Sequence, residues 1–369
     1  MSDRYIGLMA GTSLDGVDAV LAEIRGDRDI RTLAWHYHPF GAELRATLQR
    51  HCFGDQIPLP LLGELDAWLG ETFARAALAL LREAGIPPHK IRAIGSHGQT
   101  LHHGPDARHP YTLQIGDPNR IAALTGITTV ADFRRRDIAV GGQGAPLVPA
   151  FHRAVFSQPG EDRAVLNLGG IANLTLLPGD GRPVTGFDTG PGNTLLDAWF
   201  RRHHPQGQWD EAGRWAALGT CNPALLRRLL TDPYFQRRPP KSTGPERFSL
   251  EWLAGHLRDF PDLPPEDVQA SLIELTAVSA IDALRRTLPE ASRLLVCGGG
   301  VHNPVLMAAL AWHSPCPVTT TVACGIDPDQ VEALAFAWLA WRTLAGKPGN
   351  LPSVTGAREE VILGAVYPA

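Results

Sequence analysis

Two glycine-rich stretches carrying acidic residues stand out in this 369-residue chain. The first, Gly11-Thr12-Ser13-Leu14-Asp15-Gly16, follows the apolar run Tyr5 to Ala10 and leads through Val17 to Asp18. The second, Asp188-Thr189-Gly190-Pro191-Gly192-Asn193, follows Val184 to Phe187. Glycine lets a backbone approach a phosphate closely, and hydroxyls and N–H groups can then hold its oxygens. An aspartate beside such a loop can bind the Mg²⁺ of a nucleotide or act as a general base. One such turn in each half of the chain leads us to expect ATP clamped between two related domains.

The elements that would position these residues repeat. Strands are expected over Arg4–Ala10, Asp18–Ile24 and Ile30–Tyr37. A long amphipathic helix follows over Pro58–Ala84, with Leu62, Leu65, Leu69, Phe73, Ala77 and Leu80 at helical spacing. Ile91–Gly95 reads as a short buried strand ending in Ser96-His97-Gly98-Gln99-Thr100, Thr128–Ala131 as another strand, and Val148–Phe156 as a helix. The second half runs through the same order. Arg163–Leu168, Ala172–Leu177 and Val184–Phe187 read as strands, with Gly169-Gly170 at the first turn. Helices are expected from Asn193 and over Asp267–Leu288, then strands Leu294–Cys297 and Pro317–Val322 and a last helix Asp329–Leu344. Strands interleaved with helices imply mixed α/β sheets. Residues 1–145 with 346–369 are expected to form one domain, and 146–345 the other.

Composition narrows the function. Hydrophobic residues make up 44% and charged residues 20%, as in a soluble globular enzyme. A net charge of −4 recommends neither nucleic acid nor an anionic membrane as partner. The start Met1-Ser2-Asp3-Arg4 lacks the form of a secretory signal. The longest apolar helical stretch, Val331–Trp341, is too short to span a bilayer. Five cysteines (Cys52, Cys221, Cys297, Cys316, Cys324) without CxxC spacing fit buried free thiols and a cytoplasmic setting. GxxxxGK[ST], GxGxxG and HExxH are all missing.

Several residues have both a structural and a functional reading. Asp188 could cap the helix starting near Asn193, but the glycines around it favour ligand approach. Gly298-Gly299-Gly300 could merely close a strand, or admit a flat ligand such as adenine. Glu332, among apolar neighbours, is costly if buried unless paired or functional, and ordinary if exposed. His97, His102 and His103 could hold a metal, though neutral loop histidines touching ligand or backbone are the preferred reading. Arg134-Arg135-Arg136 could be a solvated loop, but Gly141-Gly142-Gln143-Gly144-Ala145-Pro146-Leu147 beyond it reads as a shaped ligand loop.

Together these stretches resemble the sugar-kinase, actin and chaperone ATPase superfamily, and more narrowly the anhydro-N-acetylmuramic acid kinase family. The matching pieces are MAGTSLDGVDAVL (Met9–Leu21), GSHGQTLHH (Gly95–His103), ADFRRRDIAVGGQGAPLVPAFH (Ala131–His152), NLGGIANLT (Asn167–Thr175), GFDTGPGN (Gly186–Asn193), PPKSTGPERF (Pro239–Phe248), CGGGVHN (Cys297–Asn303) and ALAFAWLA (Ala333–Ala340). The resemblance implies two duplicated ribonuclease H-like (actin-like ATPase) domains with a nucleotide cleft between them. It implies a kinase that uses ATP and Mg²⁺ to open 1,6-anhydro-N-acetylmuramic acid with water and phosphorylate O6. By the same resemblance Asp188 is the base and Glu332 lies near the reacting sugar. Gly11, Thr12, Ser13, Leu14, Asp15, Gly16, Val17 and Asp18 hold phosphates, with Asn167, Gly169 and Gly170 at the equivalent point of the second half. Gly298, Gly299, Gly300 and Asn303 line the adenosine pocket. His97, Gln99, Arg134, Gly190 and Asn193 meet the sugar; for its lactyl carboxylate an arginine or backbone donors are expected, with the cluster Arg134-Arg135-Arg136 as a candidate. The superfamily's first phosphate loop opens with aspartate where this chain has Met9, so the metal role is expected to pass to Asp15 or to Asp188. The resemblance also implies a homodimer. The alternatives are a conventional sugar kinase, in which Asp188 deprotonates an acceptor hydroxyl, and a nucleotide-driven binding module. No long insertion remains to serve the latter.

Overall fold

The computed structural model describes residues 3–11, 13–52, 54, 56–244 and 246–369. The chain divides into two compact units, Met1–Val155 with Gln330–Ala369, and Phe156–Asp329. Residues 146–155 and 330–345, which the sequence reading placed with the second half, therefore group with the first. The reason for 330–345 is that its helix packs on strands of the first sheet.

In the first unit, β1 (Asp3–Met9), β2 (Gly16–Ile24) and β3 (Ile30–Pro39) form an antiparallel meander. β4 (Ala93–Ser96) adds parallel to β1, and β7 (Thr129–Ala131) parallel to β4. The C-terminal strand Ala365–Tyr367 closes the edge antiparallel to β7. Between β4 and β7 a separate hairpin, β5 (Gln99–Gly104) with β6 (Tyr111–Ile115), stands outside the sheet and was not anticipated. β1 and β2 are buried on both faces, so they read as nearly continuous apolar runs. β3 alternates, as a half-solvated edge strand does.

Helix Leu59–Ala84 covers one face, with Leu65, Leu69, Phe73, Ala77 and Leu80 in the core, and ends at Gly85 (φ 65°). Helix Val331–Leu344 covers the other and is buried along most of its length. It lies unusually close. Gly7 and Gly95 are register partners on β1 and β4. A Cβ on Gly7 would collide with the Ala333 carbonyl oxygen, and one on Gly95 with that of Phe336.

In the second unit, β8 (Arg163–Leu168), β9 (Ile171–Leu177) and β10 (Thr185–Pro191) form the meander. β11 (Arg293–Cys297) lies parallel to β8, and β12 (Val318–Thr320) parallel to β11. The order β10-β9-β8-β11-β12 repeats β3-β2-β1-β4-β7, with the same strand direction at every pair. The duplication read from the sequence is thus a duplication of topology. Helix Pro265–Thr287 supplies much of this unit's core through Leu272, Leu275, Ile281 and Leu284. Two expected strands change length. The third runs on from Phe187 to Pro191, and the last stops at Thr320 and passes into a 3₁₀ turn, Thr321–Cys324.

Candidate active site

Asp188 does not sit in a glycine turn, as the sequence reading had it. It lies within β10, where the ladder to β9 slips between Asp188 and Gly190. Such a bulge redirects a side chain at a strand end. Three bonds hold the residue. Its N–H donates to the Lys241 carbonyl (3.1 Å), its carbonyl accepts from the Tyr234 hydroxyl (2.8 Å), and its Oδ2 accepts from the Thr243 N–H (2.9 Å). Burial pushes the carboxyl up to about 6, against the pull of the Thr243 N–H and the Lys241 charge. Lys241 is itself pushed down to about 8, chiefly by burial. Its ammonium sits 4.5 Å from the centre of the Tyr234 ring. Gly190 is needed for packing, because a Cβ there would stand 2.8 Å from the Phe235 ring.

Asn193 opens the helix Asn193–His203. Its N–H donates to the Gly169 carbonyl (2.9 Å), while those of Gly192 and Thr194 donate to Gly170 (3.0 and 3.1 Å). The Asn193 side chain donates to the Leu168 carbonyl at 3.0 Å. The β8–β9 turn is thereby fastened to the helix start, and these three main-chain donors are not open to a phosphate. The three glycines after β11 also separate. Gly298 has φ 82°, and a Cβ on it would strike the Asn167 side chain. A Cβ on Gly300 would stand 2.5 Å from Leu168 Cβ, whereas one on Gly299 would meet nothing within 4 Å. Two of the three are therefore demanded by close approach to β8, and Gly299 is the one facing open space. Asn303 caps the helix Pro304–His313, its Oδ1 accepting from Val305 and Leu306 N–H (both 3.1 Å).

In the first unit the loop from β1 to β2 carries the other candidate residues. Thr12 lies outside the described residues. Ser13 Oγ donates to Asp15 Oδ1 at 2.6 Å. Leu14 adopts φ 54°, costly for a branched side chain, and is retained by burial in the core. Gly11 is open: the nearest atom to a Cβ there would be Ser13 Oγ at 3.8 Å. Gly16 is required instead by the Tyr37 ring, 2.7 Å from where its Cβ would be. Val17 is fully buried core. Asp18 lies on β2 opposite Met9. The Tyr37 hydroxyl is pushed up to about 12, first by burial and then by the charges of Asp15 and Asp18, so both carboxylates lie near it.

His97, Arg134 and Glu332 gather in this same unit. His97 Nδ1 bonds the Gly98 carbonyl (2.8 Å), and Nε2 accepts from Arg134 Nε (3.1 Å) and Nη2 (2.9 Å). The tautomer follows: the proton sits on Nδ1. Burial, reinforced by Arg134, holds the ring down to about 3, so it is neutral at physiological pH. Arg134 Nη1 donates to the Gly144 carbonyl at 2.8 Å. Burial pulls the guanidinium down to about 10, against Glu332 and Asp137, and it stays charged. Glu332, in the first turn of its helix, is raised above the usual carboxylate range by burial and opposed by Arg134. Of the arginine triplet only Arg134 turns inward; Arg135 and Arg136 are exposed. Gln99 is fully buried, with its Oε1 unpartnered among the described residues. His102 and His103 bond Tyr111 and Thr112 (3.0 Å each), so the three histidines engage protein groups. Among the described residues no group of three or more His, Cys, Asp or Glu is placed to hold a metal.

Sequence reasoning did not single out Tyr234, Lys241 and Thr243, although PPKSTGPERF contains two of them. Nor did it find Asp137. That carboxylate is fully buried, with Oδ1 accepting from Asn350 (2.7 Å) and Thr355 (2.8 Å) and Oδ2 from the Gly144 N–H (2.8 Å). It ties the loop that receives Arg134 to the C-terminal segment.

Comparison with known proteins adds an independent line. Residues 3–369 match the family model described as anhydro-N-acetylmuramic acid kinase. The chain is 54% identical over 369 residues to the anhydro-N-acetylmuramic acid kinase of Xylella fastidiosa (strain Temecula1 / ATCC 700964), covering 99% of this chain and 96% of the relative. Among solved structures, component A of (R)-2-hydroxyglutaryl-CoA dehydratase from Acidaminococcus fermentans aligns over 93% of this chain and 99% of its own, at 13% identity and TM-score 0.51. The 2-hydroxyisocaproyl-CoA dehydratase activator of Clostridium difficile with bound ADPNP gives 0.48, at 14% identity over 92% and 94%. The first of these two structures supports a shared fold and nothing narrower.

Proposed function

The chain belongs to the anhydro-N-acetylmuramic acid kinase family, and from that membership we propose which of its residues carry the reaction. It is an ATP-dependent kinase that hydrolytically opens 1,6-anhydro-N-acetylmuramic acid and phosphorylates O6, yielding N-acetylmuramic acid 6-phosphate and ADP in cell-wall recycling. Asp188 takes a proton from water as the water oxygen bonds to C1. The C1–O6 bond breaks, and its electron pair leaves on O6. O6 accepts the γ-phosphoryl group, ADP departs, and Asp188 later releases its proton to solvent. The observation that carries this assignment is the Asp188 carboxyl, held by Thr243 and raised to about 6 by burial. It is ionised at neutral pH, yet it is a better proton acceptor than an ordinary aspartate.

Arg134 is assigned to the lactyl carboxylate. Three of its N–H groups are spent on His97 and Gly144, which fixes the plane of the fork. Glu332, beside it, faces the sugar in this reading, as does the unpaired Oε1 of Gln99. Gly11 and Gly299, each with open space where a Cβ would stand, are each assigned a nucleotide contact. Mg²⁺ fits the hard oxygens of Asp15 and Asp18, and when bound it would neutralise charge on the transferring phosphate. Phosphoryl transfer asks the protein mainly for position and charge. The enzyme is further proposed to work in the cytoplasm, in line with five free cysteines, and as a homodimer, to be checked by light scattering.

Running the reaction in ¹⁸O-water tests the proposal. Label is expected at the anomeric hydroxyl of rapidly trapped product and not in the ester oxygen at C6. Label in the ester bridge, or none at C1 at early times, would overturn it. A phosphorylated product with an intact anhydro ring would favour a conventional kinase.

A further inference from the structure

The first unit contains a cavity of about 290 Å³ whose walls include Leu62, Asp66, Ser96, Asp132, Arg135 and Tyr367. Among the described residues assigned above to the reaction, His97 alone lines it. Its size is near the lower end of the roughly 300–1,000 Å³ typical of small-molecule sites, suiting one sugar-sized ring and not a nucleotide.

Its chemistry is selective. Asp66 Oδ1 accepts the Gly116 N–H at 2.7 Å. Asp132 Oδ1 lies 3.4 Å from Arg135 Nε. Two carboxylates and one guanidinium thus line the cavity, and the His97 imidazole on the wall is neutral. Burial raises both carboxyls above their ordinary range, against the pull of Arg120 on Asp66 and of Arg135 on Asp132. Ser96 is 1% exposed, and its Oγ has no partner among the described residues. A buried hydroxyl left unbonded costs free energy, so it is a hydrogen-bonding position waiting to be filled. The Tyr367 hydroxyl adds another. The excess negative charge disfavours phosphates and carboxylates. The polar walls disfavour hydrocarbons. With Arg135 beside Asp132 and phosphates disfavoured, these two carboxylates lack the further oxygens that would complete a divalent ion's shell.

We propose that this cavity binds a small polyhydroxylated amine, of the size and kind of an amino sugar with a free ammonium group, at a site separate from that of the anhydrosugar. The ammonium meets Asp66 and Asp132, and ring hydroxyls meet Ser96 and Tyr367. Glucosamine is the probe and N-acetylglucosamine the uncharged control, titrated calorimetrically into the full-length protein at pH 7.5. Saturable glucosamine binding is expected, weakened about tenfold or more by Asp66→Asn and by Asp132→Asn. The control should not bind, and anhydrosugar should not compete. Leu62→Trp adds bulk to the apolar wall from helix 59–84 and leaves both carboxylates in place, so it should abolish binding even if an aspartate variant misfolds. No saturable glucosamine binding by the unmodified protein overturns the proposal. So does binding unaffected by the three substitutions, equal binding of N-acetylglucosamine, or full competition by anhydrosugar.

Discussion

Asp188→Asn removes a charge while keeping a shape, and its two consequences have opposite signs. Burial holds the Asp188 carboxyl at about 6 instead of 3.8. A folded-state value above the unfolded one means that the ionised group weakens the fold. The penalty is absent below pH 3.8, grows as pH rises from 3.8 to about 6, and is complete above that. A gap of about 2.2 units corresponds to roughly 3 kcal/mol at pH 7.5 and about 1.6 kcal/mol at pH 5. Both are upper bounds, since solvent reaches part of the side chain. Asparagine retains an oxygen to accept the Thr243 N–H, so that bond survives. The variant is therefore expected to be more stable than the unmodified enzyme at pH 7.5, with about half that gain at pH 5. Turnover should fall about 10²–10⁴-fold, as for a lost general base. Calorimetric melting at the two pH values reads the first effect, and continuous ADP release reads the second. No stability gain at pH 7.5, or a gain that does not shrink at pH 5, would refute the desolvation argument. Near-normal turnover in the folded variant would remove Asp188 as the base.

At saturating Mg-ATP, kcat/KM for the anhydrosugar should fall on the acid side with a midpoint near 6, the value of Asp188. Lys241→Met, which deletes a neighbouring positive charge, should move that midpoint upward; a midpoint near 4, or one that stays put, counts against it. Arg134→Lys keeps the charge but loses the fork held by His97 and Gly144. KM for the anhydrosugar should rise about 10–100-fold, and an unchanged KM would free Arg134 from the lactyl carboxylate. Gly300→Ala should cost about 1–3 kcal/mol of stability, because its methyl would crowd Leu168. Gly299→Ala should melt normally and raise KM for ATP. Equal effects of the two in melting and ATP titration would contradict the division drawn between them.

The sequence made the sheets legible because each is built from nearly continuous apolar runs punctuated by glycine. Val165 and Leu295, Ile6 and Ile94 announce buried parallel partners by composition alone. The hairpin over Gln99–Ile115 was hidden because its apolar residues are few and spaced by histidine, threonine and glutamine. Among site residues, Asp188 was visible from its glycine neighbours, but its setting was misread, since a strand bulge and a turn share the same small residues. What grips it could not be read: Thr243 contributes a main-chain N–H, which any residue would supply. Asp137 was obscured for a related reason. It looks like one more charge in an arginine-rich segment until folding brings Asn350 and Thr355, more than two hundred positions away, onto its Oδ1.

The glycine notches at Gly7 and Gly95 bear on how this enzyme can change over generations. Where most helices rest on a sheet, interlocking side chains lie between them, and a lost or gained methyl is absorbed by neighbouring rotamers. Here backbone lies against backbone, with no such cushion. Any side chain gained at either notch lifts the whole 331–344 helix, and Glu332 travels with it. Positions that touch no substrate are thereby bound to the height of a carboxylate proposed to face the sugar. Inheritance should leave the two sheet faces unequally free: the face beneath helix 59–84 can trade one apolar residue for another, while the opposite face is frozen at these two glycines.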